Sequence, residues 1–178
     1  MGSSVGSSFP IQNYRIEAGS SLQRTRLVKF MRRAYADIAK ATGKSTYSTG
    51  AHLAETVQRH LSPNSHIWWV IDTQSTATPA GLPGINSVVL EPAGCLWLTE
   101  AIDQRSGQKQ AYVFLLYVSP NHRKKGIGTA LMQHAQHWAK QKGYEQMSLQ
   151  VFEHNNAAMQ LYEKLGYQSQ AKWMSLDL

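Results

Sequence analysis

Apolar positions recur along this chain in different periods, and each period predicts a different element. Within Ser21–Ala39, the residues Leu27, Met31, Ala34, Tyr35 and Ile38 fall three or four apart. Arg24, Arg26, Lys29, Arg32 and Arg33 face elsewhere, which predicts an amphipathic helix with a solvated basic face. A second helix is expected at Ala51–Leu61, stopped by Ser62-Pro63. Tyr14–Ala18 reads as a short first strand. The unbroken run from Ile67 to Ile71 makes His66–Asp72 a buried strand. Gly94–Ile102 and Gln110–Val118 read as a hairpin across Asp103–Lys109, with Ser106-Gly107 in the turn. After them come a helix at Gly128–Lys142 closed by Gly143, a strand at Gln146–Phe152, a last helix at Asn156–Leu165 ended by Gly166, and a terminal strand at Gln168–Leu176. The stretch 73–93 is rich in Pro, Gly, Ser and Thr and reads as a long loop insertion, with Val88–Leu90 adding to a strand.

The densest chemistry lies where the apolar run Leu115-Leu116-Tyr117-Val118 gives way to Ser119-Pro120-Asn121-His122-Arg123-Lys124-Lys125-Gly126-Ile127-Gly128-Thr129. This is a strand, a basic turn and a helix start. The first N–H groups of a helix have no intrahelical partners and sit at the positive end of its dipole. Gly126 and Gly128 carry no Cβ and let a ligand approach the backbone. The element therefore suits a pyrophosphate. It is not a P-loop, which needs G-x-x-x-x-G-K-[ST]. Nor is it the dinucleotide fingerprint, since Leu131 stands where the third Gly would be.

Arg123-x-x-Gly126-x-Gly128 resembles the acetyl-CoA loop of the GNAT superfamily of N-acetyltransferases. The segment from Asn155 to Tyr167, with Ala158, Leu161-Tyr162, Lys164 and Gly166, resembles that family's second signature in the family's order. The resemblance implies an α+β fold: a mixed, mostly antiparallel sheet of six to seven strands flanked by about four helices. It implies a ternary-complex transfer of acetyl from acetyl-CoA to a primary amine of a small molecule or peptide. By resemblance, backbone groups of Leu116 and Val118 pair with the pantetheine, with Tyr117 turned to the opposite side. The N–H groups of Lys124, Lys125, Gly126, Ile127, Gly128 and Thr129, beside Arg123, hold the pyrophosphate. Asn155 contacts the cofactor arm, unless it only caps the last helix. Tyr162 protonates the leaving sulfur.

The family's carboxylate base has no counterpart. Its two usual places hold Tyr112 and Gln150. Glu100 is the carboxylate expected to serve instead, followed by Glu153 and His154 or by water alone. Two other readings remain open: a protein N-terminal acetyltransferase of the ribosomal-protein type, and an acyl-CoA-binding sensor without turnover.

Composition narrows the rest. The length of 178 residues suits one domain, expected at 13–178 behind a flexible tail at 1–12. No apolar run is long enough for a membrane span and no secretory signal opens the chain, so a cytoplasmic protein is expected. The net charge of +7 fits an anionic cosubstrate. No RNA-recognition or zinc-finger signature accompanies it, so nucleic acid and metal are not expected as partners. The assembly is expected to be a monomer or homodimer. The single cysteine, Cys95, lies beside Leu96-Trp97-Leu98 and reads as a buried strand residue. A polycationic acceptor would need Glu91, Glu100, Asp103 and Glu153 to form an acidic patch.

Overall fold

The computed structural model describes residues 9–42, 50–75 and 90–176. Five strands, β1 (Tyr14–Ala18), β2 (His66–Asp72), β3 (Gly94–Ile102), β4 (Lys109–Val118) and β5 (Met147–Leu149), form one sheet in sequence order. The first four are antiparallel neighbours, and β5 joins β4 in parallel. A short 3-10 turn at Ser21–Gln23 leads into α1 (Arg24–Thr42), and a second at Pro120–His122 follows β4. The other helices are α2 (Gly50–His60), α3 (Ile127–Gln141) and α4 (Asn156–Lys164). The mixed sheet with four helices is as expected, but it has five strands among the described residues rather than six to seven.

Both faces of the sheet are covered, which explains why β2 reads as a continuous apolar run. On one face Leu27, Phe30, Met31, Leu53 and Val57 of α1 and α2 pack on Trp69, Cys95 and Trp97. On the other, Ile127, Leu131 and Ala135 of α3 pack on Val70, Leu96 and Leu98. Phe9 is 9% exposed within this second core and Ile11 packs against it, both inside the segment expected as a flexible tail, while Pro10 and Gln12 are exposed. Residues 1–8 and most of the expected insertion, including Val88 and Val89, lie outside the described residues.

The sheet carries one irregularity that matters for function. Trp97 pairs with Leu115 but Leu98 pairs with Val113, so Phe114 is an extra residue, a β-bulge. The bulge exchanges the faces of β4. Ala111 and Val113 point into the α3 core, whereas Leu115 and Tyr117 point into the α1–α2 core. Phe114 also packs on the α1–α2 side. The β4–β5 ladder ends at the pair Val113–Leu149, immediately before the bulge. A strand that bends and twists at a bulge leaves a straight neighbour behind. This accounts for β5 having three residues instead of the seven expected from Gln146–Phe152.

The expected strand at Gln168–Leu176 is corrected: residues 167–176 are irregular. Side chains hold the segment, through Arg105 Nη1 donating to Gln170 Oε1 at 3.0 Å and Lys172 facing Glu153 at 3.7 Å. No backbone ladder receives it among the described residues. Trp173, Met174 and Leu176 remain largely exposed.

Candidate active site

A cleft of about 720 Å³ opens where β4 and β5 part. Its walls are the second half of β4, the turn and first residues of α3, the chain from Gln150 to Ala158, one side of α4 including Tyr162, and a stripe of α1. Most residues selected from the sequence converge here, each for a local reason.

Ser119 N–H donates to Ala93 O at 2.8 Å on the β3 side. With a strand's period of two, the backbone groups of Leu116 and Val118 then face the open edge. Arg123 Nε caps one of them, donating to Val118 O at 2.9 Å. The Leu116 N–H, the Leu116 carbonyl and the Val118 N–H are left to the cleft. Tyr117 points the other way, edge-on to Phe30 of α1 with ring centroids 5.6 Å apart.

The turn then makes an array of free donors. Lys124 (φ 58°) and Gly126 (φ 81°) are both left-handed, with Lys125 between them. Alternation of this kind aims successive N–H groups into one concavity. Among the described residues no hydrogen bond reaches the N–H groups of Lys124 to Thr129, and no side chain caps α3; the first helical donor with a partner is Ala130, bonded to Gly126 O at 3.0 Å. The side chains divide their tasks. Ile127 is buried in the core and presents only its backbone. Lys125 turns aside, its Nζ 3.1 Å from Tyr14 Oη, while Lys124 lines the cleft. Arg123 does not reach toward the donors at all. Its guanidinium pairs with Asp37 of α1 and lies over the Tyr117 ring at 5.7 Å. Burial first, and the nearby Asp37 carboxylate next, push the Tyr117 phenol above the usual tyrosine range.

Asn155 is the N-cap of α4, its side-chain oxygen accepting from Ala158 N–H at 3.3 Å, and it lines the cleft too. Its amide NH2 is left for another acceptor. Tyr162 lies two turns further along α4. Burial first, and the neighbouring Tyr167 second, push its phenol up to about 12. It is a proton donor over the whole physiological range.

Glu100 is not part of this constellation. It lies opposite Ala111, before the bulge, on the pleat of Leu98 and hence on the α3 side. Its carboxylate accepts from Tyr144 Oη at 3.0 Å and pairs with Lys109 at 2.9 Å. Lys109 first, and the Tyr144 hydroxyl next, hold its carboxyl below the usual range. The hairpin was legible in the sequence, but its bulge was not, and the bulge decides which face the later residues of β4 meet. Cys95 is fully buried with its thiol pushed up by burial, as expected of a core residue. Asp37 and Phe114 are cleft residues that sequence reasoning missed. Asp37 is one polar position on an amphipathic helix with no motif around it, and Phe114 sits in an apolar run with no alternation to break.

The profile of the acetyltransferase (GNAT) family matches residues 36–167, most of the chain and all of the cleft's structural elements except the first half of α1. The chain belongs to this family. An uncharacterized N-acetyltransferase of Bacillus subtilis, YdgE, is 35% identical over 77 residues, which cover 43% of this chain and 48% of that protein. The chain spans about half or less of the length of the curated relatives it matches first. Among solved structures of the GNAT fold, a putative acetyl transferase from Pyrococcus furiosus matches with a TM-score of 0.70 at 21% identity, covering 93% of this chain and 99% of that one. A predicted acetyltransferase from Clostridium acetobutylicum, solved with acetyl-CoA, matches at 0.66 with 14% identity over 92% and 96%. An aminoglycoside acetyltransferase from a soil metagenome matches at 0.61 with 16% identity over 93% and 97%. At these identities the structural matches establish the GNAT fold. The family uses acetyl-CoA as its acyl donor, and among the described residues no group of three or more His, Cys, Asp or Glu side chains could hold a metal ion.

Proposed function

We propose that this chain transfers the acetyl group of acetyl-CoA directly to a primary amine within a ternary complex. The observation that carries the reading is the continuity of the cleft. An open strand edge leads without interruption into a nest of unbonded N–H groups at the start of α3, and Tyr162 lines the same space. A pantetheine carries amides that pair with a strand edge, and a pyrophosphate needs a donor array. The two occur here in the order in which coenzyme A presents them.

In this reading the N–H groups from Lys124 to Thr129 bind the pyrophosphate, with the Lys124 ammonium beside them. The pantetheine runs back along Val118 and Leu116, and Asn155 donates its free amide to the arm. The thioester then lies next to the bulge at Phe114. The amine nitrogen attacks the thioester carbonyl, and the carbon–sulfur bond breaks with its electron pair going to sulfur. The Tyr162 hydroxyl supplies the proton to that sulfur. The amine's surplus proton leaves to water at the mouth of the cleft, where His154 stands, and the phenol is reprotonated from solvent. Backbone donors aimed at a developing charge, and an acid that is still protonated, are what such a step requires.

The test is thiol release from acetyl-CoA by wild type and Tyr162→Phe, with coenzyme A binding measured alongside. Turnover that drops at least about tenfold with binding retained supports the assignment, since general acid catalysis contributes about 100-fold or more. Tight coenzyme A binding with no turnover on any amine would instead favour a sensor.

A further inference from the structure

Resting on that reading, we infer that the acceptor is an amine carrying one positive charge next to an apolar or aromatic group, and not a polycation. The acceptor must reach the thioester from the α1 side of the bulge, because α3 and α4 close the other side. The walls there are Tyr35 and Ile38 of α1, the bulged Phe114 on β4, and Phe152 beyond β5. His154 stacks on Phe152 at 5.4 Å and continues this surface outward. The Phe114 ring is itself held by Trp97 at 4.3 Å and by His60 at 4.7 Å, so this wall is a built aromatic surface.

Charge points the same way. Asp37 is the only carboxylate lining the cleft among the described residues, and Arg123 neutralises it. The other acids that could form an acidic rim are also taken. Glu91 bridges Lys29 and Arg33 at 2.9 and 2.7 Å, Asp103 pairs with Arg105 at 3.2 Å, and Glu153 faces Lys172 at 3.7 Å. The acidic patch that a polyamine or aminoglycoside would need is absent from the described residues. A second and third ammonium would enter without partners, and unpaired charge is costly to desolvate. A monoamine gives up its one charge before it attacks and brings apolar surface to an apolar wall. This separates the chain from the aminoglycoside enzyme whose fold it shares.

The experiment compares kcat/KM for 2-phenylethylamine, tryptamine and short peptides beginning with Phe, Leu or Met against spermidine and kanamycin. Acetyl-CoA binding is measured calorimetrically on the same samples. The expected result is a preference of at least about 30-fold for the apolar monoamines, the scale on which apolar pockets discriminate. Whether the free amines or the peptides are better identifies the source of the acceptor. Ile38→Glu puts a carboxylate on a partly buried helix position that lines the cleft, and acetyl-CoA binding by the variant checks that it is folded. It is expected to raise KM for 2-phenylethylamine and lower it for spermidine. Acetyl-CoA bound with spermidine or kanamycin preferred, or with no apolar amine acetylated, overturns this inference and leaves the cofactor site standing. No acetyl-CoA binding overturns the transferase reading itself.

Discussion

Arg123 reaches out of the loop between β4 and α3 to pair with Asp37 on α1, tying the cofactor loop to the helix that lines the acceptor end of the cleft. The same guanidinium holds Val118 O at 2.9 Å and covers Tyr117. Three anchors on two elements, α1 and β4, fix one side chain, and Arg is suited to this because its planar fork can serve two acceptors at once. The side chains of the pair are 45% and 29% exposed, so the pair itself contributes only ~0.5 kcal/mol to stability. Its effect lies in the position of the loop. Asp37→Asn is expected to leave the melting temperature nearly unchanged and to weaken coenzyme A binding about twofold, the factor that corresponds to such a pair. Arg123→Lys, which loses the fork, is expected to weaken binding further. Calorimetric titration with coenzyme A checks both. Unchanged affinity in both variants would show that the loop holds its shape without α1.

Gly126 and Gly128 look alike in the sequence and should behave differently. Gly126 sits at φ 81°, and a Cβ there would lie 3.2 Å from Ile11 Cδ1. A left-handed L-residue costs ~1–2 kcal/mol. Gly126→Ala is expected to lose about that much stability and to distort the donor array. Gly128 has an ordinary helical start, and its added Cβ would meet Leu161 Cδ2 at 3.4 Å, a normal contact. Gly128→Ala should therefore keep its stability, so any loss of coenzyme A affinity reports crowding of the phosphate itself. Urea unfolding and coenzyme A titration of the two variants separate strain from access.

The parts of this site that could be read in advance are those governed by local sequence. The donor array depends on a helix start, a preceding turn and a glycine that can be left-handed, all within Arg123–Thr129. The Asn155 cap depends only on its own four residues. Phe114 depends on hairpin register, since a single extra residue in β4 moves everything after it to the other face, whereas Glu100 lies on the straight partner strand and only the packed fold shows that its pleat meets the α3 side. Tyr112-Val113-Phe114-Leu115 is apolar or aromatic throughout because both faces are buried, so no alternation marks where the bulge falls. The Asp37 pairing spans 86 positions in sequence and required the packed fold.

Cys95 is fully buried between the helices and the sheet, and burial pushes its thiol well above the usual range. The thiolate is the reactive form, so the native protein should not react with a disulfide reagent such as dithionitrobenzoate, while the urea-unfolded chain should release one equivalent. Thiol-release assays then report coenzyme A alone. Cys95→Ala is expected to cost ~1 kcal/mol through the cavity it leaves, without changing turnover. A native protein that reacts within minutes would show that the sheet opens around Cys95.

The pH profile distinguishes Tyr162 as an acid from any base in the cleft. Burial raises the Tyr162 phenol to about 12, so its required protonated form is fully populated up to pH 10 and is lost only as pH rises through that value. The amine must be unprotonated to attack, so kcat/KM should climb tenfold per pH unit below the acceptor's own pKa and then level. No descending limb is expected below about pH 11. The position of the ascending limb should follow the acceptor, moving down when an amine of lower pKa replaces one of higher pKa. Tyr162→Phe should lower the whole curve without shifting it, because the phenol does not change ionisation in this range. An ascending limb that stays fixed across acceptors would instead reveal an enzyme base. His154→Ala would then locate it, since His154 is the histidine standing at the acceptor end of the cleft.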